Sequence, residues 1–207
     1  LCSKPTAKPC KIAVDITLGH PMLFGSTDSF AIEAMIEPKL LQPSAVWGRM
    51  RVWFEGRPFG DYSEEHCALY PAYASFKELD EKLDTLWHPS FDGLTDAEIY
   101  DLLDGLLFGW NGTVELDDNR SLAQCQADAK IFGRFSFLTN WGEQFDQSGK
   151  SFIICPSNGV AKLLNRSAPE GAVEALVVSS TDIHYSIGEF GCWYEQENTR
   201  LSSGHVA

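Results

Sequence analysis

The sequence predicts an α+β fold, a single domain in which an antiparallel or mixed sheet is combined with two central acidic amphipathic helices and a C-terminal helix. Three observations carry this reading. Short strand-like runs fall in two groups, one before residue 63 and one after residue 130. Between and after these groups, apolar residues recur at helical spacing. A chain of 207 residues with 44% hydrophobic content and six tryptophans can bury one sizeable core and is not generally disordered. No internal repeat or linker interrupts residues 22–197.

Residues 1–21 show no periodicity. They are expected to form a loose tail, or an extension ahead of a natural start at Met22, the first methionine. Ser29–Ile36 alternates apolar and polar residues as a strand does, with Gly25 and Ser26 as turn residues ahead of it. Val46–Phe54 is a second strand and Arg57–Tyr62 a short third, joined by a hairpin at Glu55-Gly56-Arg57. Ser75-Phe76-Lys77-Glu78 and Thr95-Asp96-Ala97-Glu98 both fit the capping box, in which hydroxyl and carboxylate satisfy each other's unpaired backbone amides. Behind the first box, Phe76, Leu79, Leu83, Leu86 and Trp87 face a core; behind the second, Ile99, Leu102, Leu103, Leu106 and Leu107 do so.

Asn111–Ala129 is polar and reads as a loop with a short helix at Ser121–Ala127. Strands are then expected at Ile131–Leu138, Ser151–Cys155, Gly159–Leu164 and Val173–Val178, with a turn at Gln147-Ser148-Gly149-Lys150. Thr181-Asp182-Ile183-His184 opens a last helix with Ile183, Ile187, Phe190 and Tyr194 on one face. Gly188 and Gly191 weaken it by about 1 kcal/mol each relative to alanine. Asn198–Ala207 reads as a frayed end.

Charge is the most uneven property of the chain. Asp61–Asn119 holds fifteen acids against Lys77 and Lys82, so this one segment accounts for the whole net charge of −13. Glu98, Asp101 and Asp104 stand three apart and are expected to line one outer stripe of their helix, joined by Asp80, Glu81 and Asp84 from the helix before. A folded carboxylate stripe attracts a basic protein surface by long-range steering. The plainer reading is a solvated face that keeps the protein soluble.

An acidic chain with a pI near 4.7 does not suit nucleic acid, whose phosphates need a concentrated basic patch. No apolar run approaches the roughly 20 residues of a membrane span, and Ile12–Ile16 is too short for a signal-peptide core, which points to the cytosol. Six scattered cysteines without a Cys-x-x-Cys pair fit neither a disulfide framework nor a zinc site. Cys155 and Cys192 read as small core fillers. His66 and Cys67, as sequence neighbours, do not present both groups to one substrate. Phosphate-binding glycine loops, the Gly-x-Ser-x-Gly elbow and His-x-x-x-His spacing are all missing, and no cofactor is implied. Three Asn-x-Ser/Thr triplets, at Asn111, Asn119 and Asn165, are chance matches without a secretory signal.

Several phrases carry a resemblance. Met22-Leu23-Phe24-Gly25-Ser26-Thr27-Asp28-Ser29-Phe30-Ala31-Ile32-Glu33 resembles the opening of the immunity protein 42 family. Trp47-Gly48-Arg49-Met50-Arg51-Val52-Trp53-Phe54 with Gly60-Asp61-Tyr62 looks like its next block, and Phe135-Ser136-Phe137-Leu138-Thr139-Asn140-Trp141-Gly142-Glu143-Gln144-Phe145-Asp146 like a later one. The resemblance covers roughly residues 22–195. It implies a bacterial immunity protein of a polymorphic-toxin or contact-dependent inhibition system, a cytosolic non-enzyme that binds one cognate toxin domain, often a nuclease. Within these phrases Phe30, Trp53, Phe135 and Phe145 are expected in the core, and Gly25, Gly48 and Gly60 to serve backbone conformation. Glu33, Asp61, Glu143 and Asp146 read equally as contacts or as caps and turn acids. The expected toxin contacts are Asp80, Glu81, Asp84, Glu98, Asp101 and Asp104. The alternatives are a small carboxylate-dependent hydrolase and a regulatory binding module without a toxin.

Overall fold

The computed structural model describes residues 20–63, 66–109, 119–157, 159–168 and 170–203. The tail expected over residues 1–21 lies outside the described residues except for its last two, as does part of the polar stretch after residue 109. Two antiparallel sheets share one core. The first consists of β1 (Met22–Gly25), β2 (Phe30–Ile36), β3 (Trp47–Phe54) and β4 (Arg57–Phe59) in that spatial order, with β5 (Cys67–Ala68) also pairing with β3. The second runs β6 (Ser136–Phe137), β7 (Lys150–Ser157), β8 (Val160–Arg166) and β9 (Glu174–Ser179). Four helices among the described residues accompany them: α1 (Tyr70–Lys82), α2 (Asp96–Phe108), α3 (Leu122–Phe132) and α4 (Ser180–Ser202).

Period-two burial fixes the faces of the first sheet. Phe30, Ile32 and Ala34 pair across strands with Phe54, Val52 and Met50, and all six are fully buried. The expected hairpin forms on two residues with positive φ, Glu55 (48°) and Gly56 (79°), which matches the strand twist. Gly48 earns its place sterically, because a Cβ there would overlap the Met35 carbonyl oxygen of the neighbouring strand. The sheets meet through Phe54 and Phe137, whose rings lie edge-on at 5.9 Å.

α4 lies across the inner face of β1 and β2, and Phe24 packs on Phe190 and Trp193. Ile183, Ile187, Phe190 and Tyr194 are all buried, as their spacing predicts. α1 packs on α4, with the Tyr73 ring stacked on Tyr194 at 4.1 Å. α2 covers the second sheet, where Tyr100 meets Phe152 at 5.1 Å.

Five elements differ from expectation. α1 begins at Tyr70 with Pro71 in its first turn, so Ser75 is helix interior and its capping box does not form. β1 is a strand that the sequence reading does not include; it ends at Gly25, expected as a turn residue, where φ is 104°. The strand expected at Ile131–Leu138 is the end of α3, a 3-10 turn and only two strand residues, while the helix at Ser121 runs longer than read and opens with a full Ser121–Gln124 capping box. Finally, α4 continues to Ser202 rather than fraying at Asn198. Leu201 is buried, and the loop before β3 holds the helix end through Ser44 N–H to the Leu201 carbonyl (3.2 Å) and Gln42 to the Arg200 carbonyl (2.6 Å).

Candidate functional site

Among the described residues, the acidic segment forms no free stripe. Asp104 is buried at 2% exposure and binds Lys150 at 2.6 Å; Asp101 binds Arg166 at 2.9 Å; Asp96 binds Lys162 at 2.9 Å. The three bases stand on one face of β7 and β8 together with Phe152, because Lys150 is paired with Arg166 and Phe152 with Leu164 in the strand register. α2 is therefore docked onto the second sheet by a row of ion pairs around Tyr100, over whose ring Arg166 also sits at 4.5 Å. The outer stripe expected for Glu98, Asp101 and Asp104 is thus corrected: spacing of three turns Asp104 inward, and Asp101 reaches the sheet from the helix flank.

Glu98 is exposed and closes the Thr95 capping box, accepting from Thr95 N–H and hydroxyl at 2.7 Å, which holds its carboxyl below the usual range. Asp80 and Asp84 bracket His184 of α4, at 2.6 Å from Nδ1 and 3.3 Å from Nε2. Burial lowers the His184 pKa, but the hydrogen bond and charge of Asp80, followed by those of Asp84, outweigh it and leave the pKa raised. Glu78 pairs with Lys82, Asp92 accepts from the Trp87 indole, and Asp61 accepts from Ser63. Of the described acids in this segment, Glu81 stands exposed without a partner.

Burial, followed by the charge of Asp84, pushes the Cys155 thiol up to about 11, so the thiol near this histidine cluster is held protonated. Cys67 is buried while His66 stands exposed with φ 61°, so the two do not converge. Cys192 is half-buried and lines a groove rather than filling the core. No disulfide joins the described cysteines, and among the described residues no group of three or more metal-type side chains could hold an ion.

Phe30, Phe135 and Phe145 are buried as expected, but Trp53 is half-buried on the outer face of the first sheet. Its indole donates to Glu33 at 2.8 Å, and Glu33 also holds Arg51 at 2.7 Å. The Arg51 guanidinium lies 4.6 Å from the Trp53 ring centre and 4.7 Å from that of Tyr62. Burial, then the Glu33 charge, pushes the Tyr62 hydroxyl up to about 12. Glu33 is thus an internal clamp, whereas Glu143 and Asp146 are exposed on a 3-10 turn.

Two surface grooves flank α4. One, of about 190 Å³, lies against α1 and is lined by Tyr73, Lys77, Asp80, Gly188, Gly191 and Glu195 among others. The other, of about 330 Å³, lies against β1 and carries Leu23, Phe24, Asp182, Tyr185 and Glu189. The second was missed from sequence, where Asp182 read only as part of the run that opens the last helix. Its signal was the placement of Asp182, Tyr185 and Glu189 at i, i+3 and i+7, one face of a helix.

The profile of the immunity protein 42 family matches residues 22–193, from the first residue of β1 into α4. No curated protein matches the chain. Among solved structures, the crystal structure of CdiI from Burkholderia dolosa AUO158 has a similar fold: TM-score 0.51, 14% identity, 86% of this chain and 99% of that one covered.

Proposed function

Because the chain belongs to the immunity protein 42 family and is thus an immunity protein that neutralises a cognate toxin, we propose that it does so in the bacterial cytosol as a stoichiometric blocker that carries out no reaction. The family match over nearly all of both sheets and most of α4 carries this reading. The fold likeness to a CdiI protein supports contact-dependent inhibition as its setting. No helix among the described residues is long and apolar enough to cross a membrane.

A net charge of −13 suits a basic toxin, such as a nuclease, whose nucleic-acid-binding surface is positive. Asp80, Glu81, Asp84, Glu98 and Asp101 contribute to the field that draws such a partner in. Asp104 is excluded from contact by burial. The test is co-expression with the toxin domain encoded immediately upstream: growth should be restored, and the purified proteins should form a fixed-ratio complex. Neutralisation by far less than one equivalent of this protein would show turnover and defeat the blocking reading.

A further inference from the structure

We propose that the groove between β1 and α4 receives an arginine side chain of the cognate toxin. The proposal rests on the immunity reading and gives it a contact surface.

Three features of the groove select this occupant. Its charge has one sign: Asp182 and Glu189 line it and no basic side chain does, whereas the groove against α1 mixes Lys77 with Asp80 and Glu195. Unlike the acids that dock α2, neither is paired with a base among the described residues. Ser29 holds one oxygen of Asp182 at 2.5 Å, and Glu189 has no partner among the described residues. Its rim is apolar and exposed, with Tyr185 at 61% and Leu23 at 49%. Its walls are fixed, since Ser186 Oγ lies 3.1 Å from the Phe30 carbonyl and 2.8 Å from that of Asp182, and a Cβ at Gly25 would overlap Ser186.

These features match the two halves of an arginine. The aliphatic stem covers Leu23 and Phe24, while the planar guanidinium reaches a carboxylate and stacks on the Tyr185 ring. A lysine makes the charge contact without the stacked, forked one. Asp182 and Glu189 lie seven residues apart, about 10 Å along the helix, so the guanidinium meets one of them and Tyr185 together. Fixed walls reduce the ordering cost of binding, and tyrosine and arginine are the residue types that dominate interface energetics.

The experiment measures the affinity of the full chain for the upstream-encoded toxin domain by calorimetry. Tyr185→Ala and Glu189→Lys should each raise Kd about 10- to 100-fold at unchanged Tm, with Glu189→Gln intermediate. Glu81→Lys, on α1, should change Kd less than about threefold. Folded Tyr185→Ala and Glu189→Lys proteins that bind within threefold of wild type would overturn the groove while leaving the immunity function intact. A wild-type chain that binds no toxin domain would overturn both.

Discussion

Asp104 shows how burial changes what a carboxylate is for. Its charge is tolerated at 2% exposure because Lys150 lies 2.6 Å away, and removing one partner strands the other. Lys150 keeps a third of its side chain in solvent, so the penalty falls below that of a fully buried pair. Asp104→Asn should cost about 2 kcal/mol by urea denaturation, against less than about 0.5 kcal/mol for Glu81→Gln. The carboxylates around His184 likewise give the stability a pH dependence. Its folded pKa is raised above the ordinary 6.5 by Asp80 and Asp84 despite burial, so the folded state binds a proton that the unfolded chain releases sooner. The stabilisation is fully present below about pH 6.5 and is lost as pH rises through the folded value. Solvent reaches both partners, so the effect is small, a Tm change of about a degree. Tm should drop by that amount from pH 6 to above the folded pKa, and Asp80→Asn should remove most of the drop. An unchanged slope in that variant would mean that other groups carry it.

At the scale of elements, α4 contains a helix-interior glycine that packing does not require. A Cβ at Gly188 would meet nothing within 4 Å, so Gly188→Ala should stabilise the protein by up to about 1 kcal/mol in thermal or chemical unfolding. Gly48→Ala should instead destabilise it strongly, because the Met35 carbonyl occupies the space. Elements held by local chemistry could be read from the sequence. The Thr95 box, the Glu55-Gly56 hairpin and the buried face of α4 all follow from neighbours within a few residues. The Ser75 box misled because the same four-residue pattern can fall inside a helix, where the serine has no non-helical backbone to cap from; Pro71 was the better start signal. What could not be read was pairing across distance. Lys150 is 46 residues from Asp104 and Lys162 is 66 from Asp96, so helix spacing alone could not show that these acids point at a sheet. The groove was hidden for the same reason: Leu23 and Tyr185 meet only after β1 and α4 pack.

For the whole molecule, internal pairing and long-range field are separate quantities. An ion pair cancels charge nearby, yet the chain keeps its excess of thirteen acids over bases wherever the partners sit, and the field at distance follows that excess. Encounter with a basic toxin should therefore be fast at low salt and slow steeply as ionic strength rises past about 0.15 M, where the Debye length is about 8 Å. Of the six acids expected as contacts, Glu81 is the one whose reversal touches no internal bond. Lysine at Glu98, Asp101 or Asp104 would open a cap or release α2 from its sheet, confusing unfolding with lost binding. Glu81→Lys should thus reduce the association rate about two- to threefold at low salt and leave dissociation unchanged, because an exposed charge outside the contact acts on the approach. Groove variants should show the opposite pattern in stopped-flow and surface-resonance traces: Tyr185→Ala should speed dissociation and barely alter association, since a stacked ring acts only after docking. If Glu81→Lys accelerates dissociation instead, α1 lies inside the interface and the two roles must be exchanged.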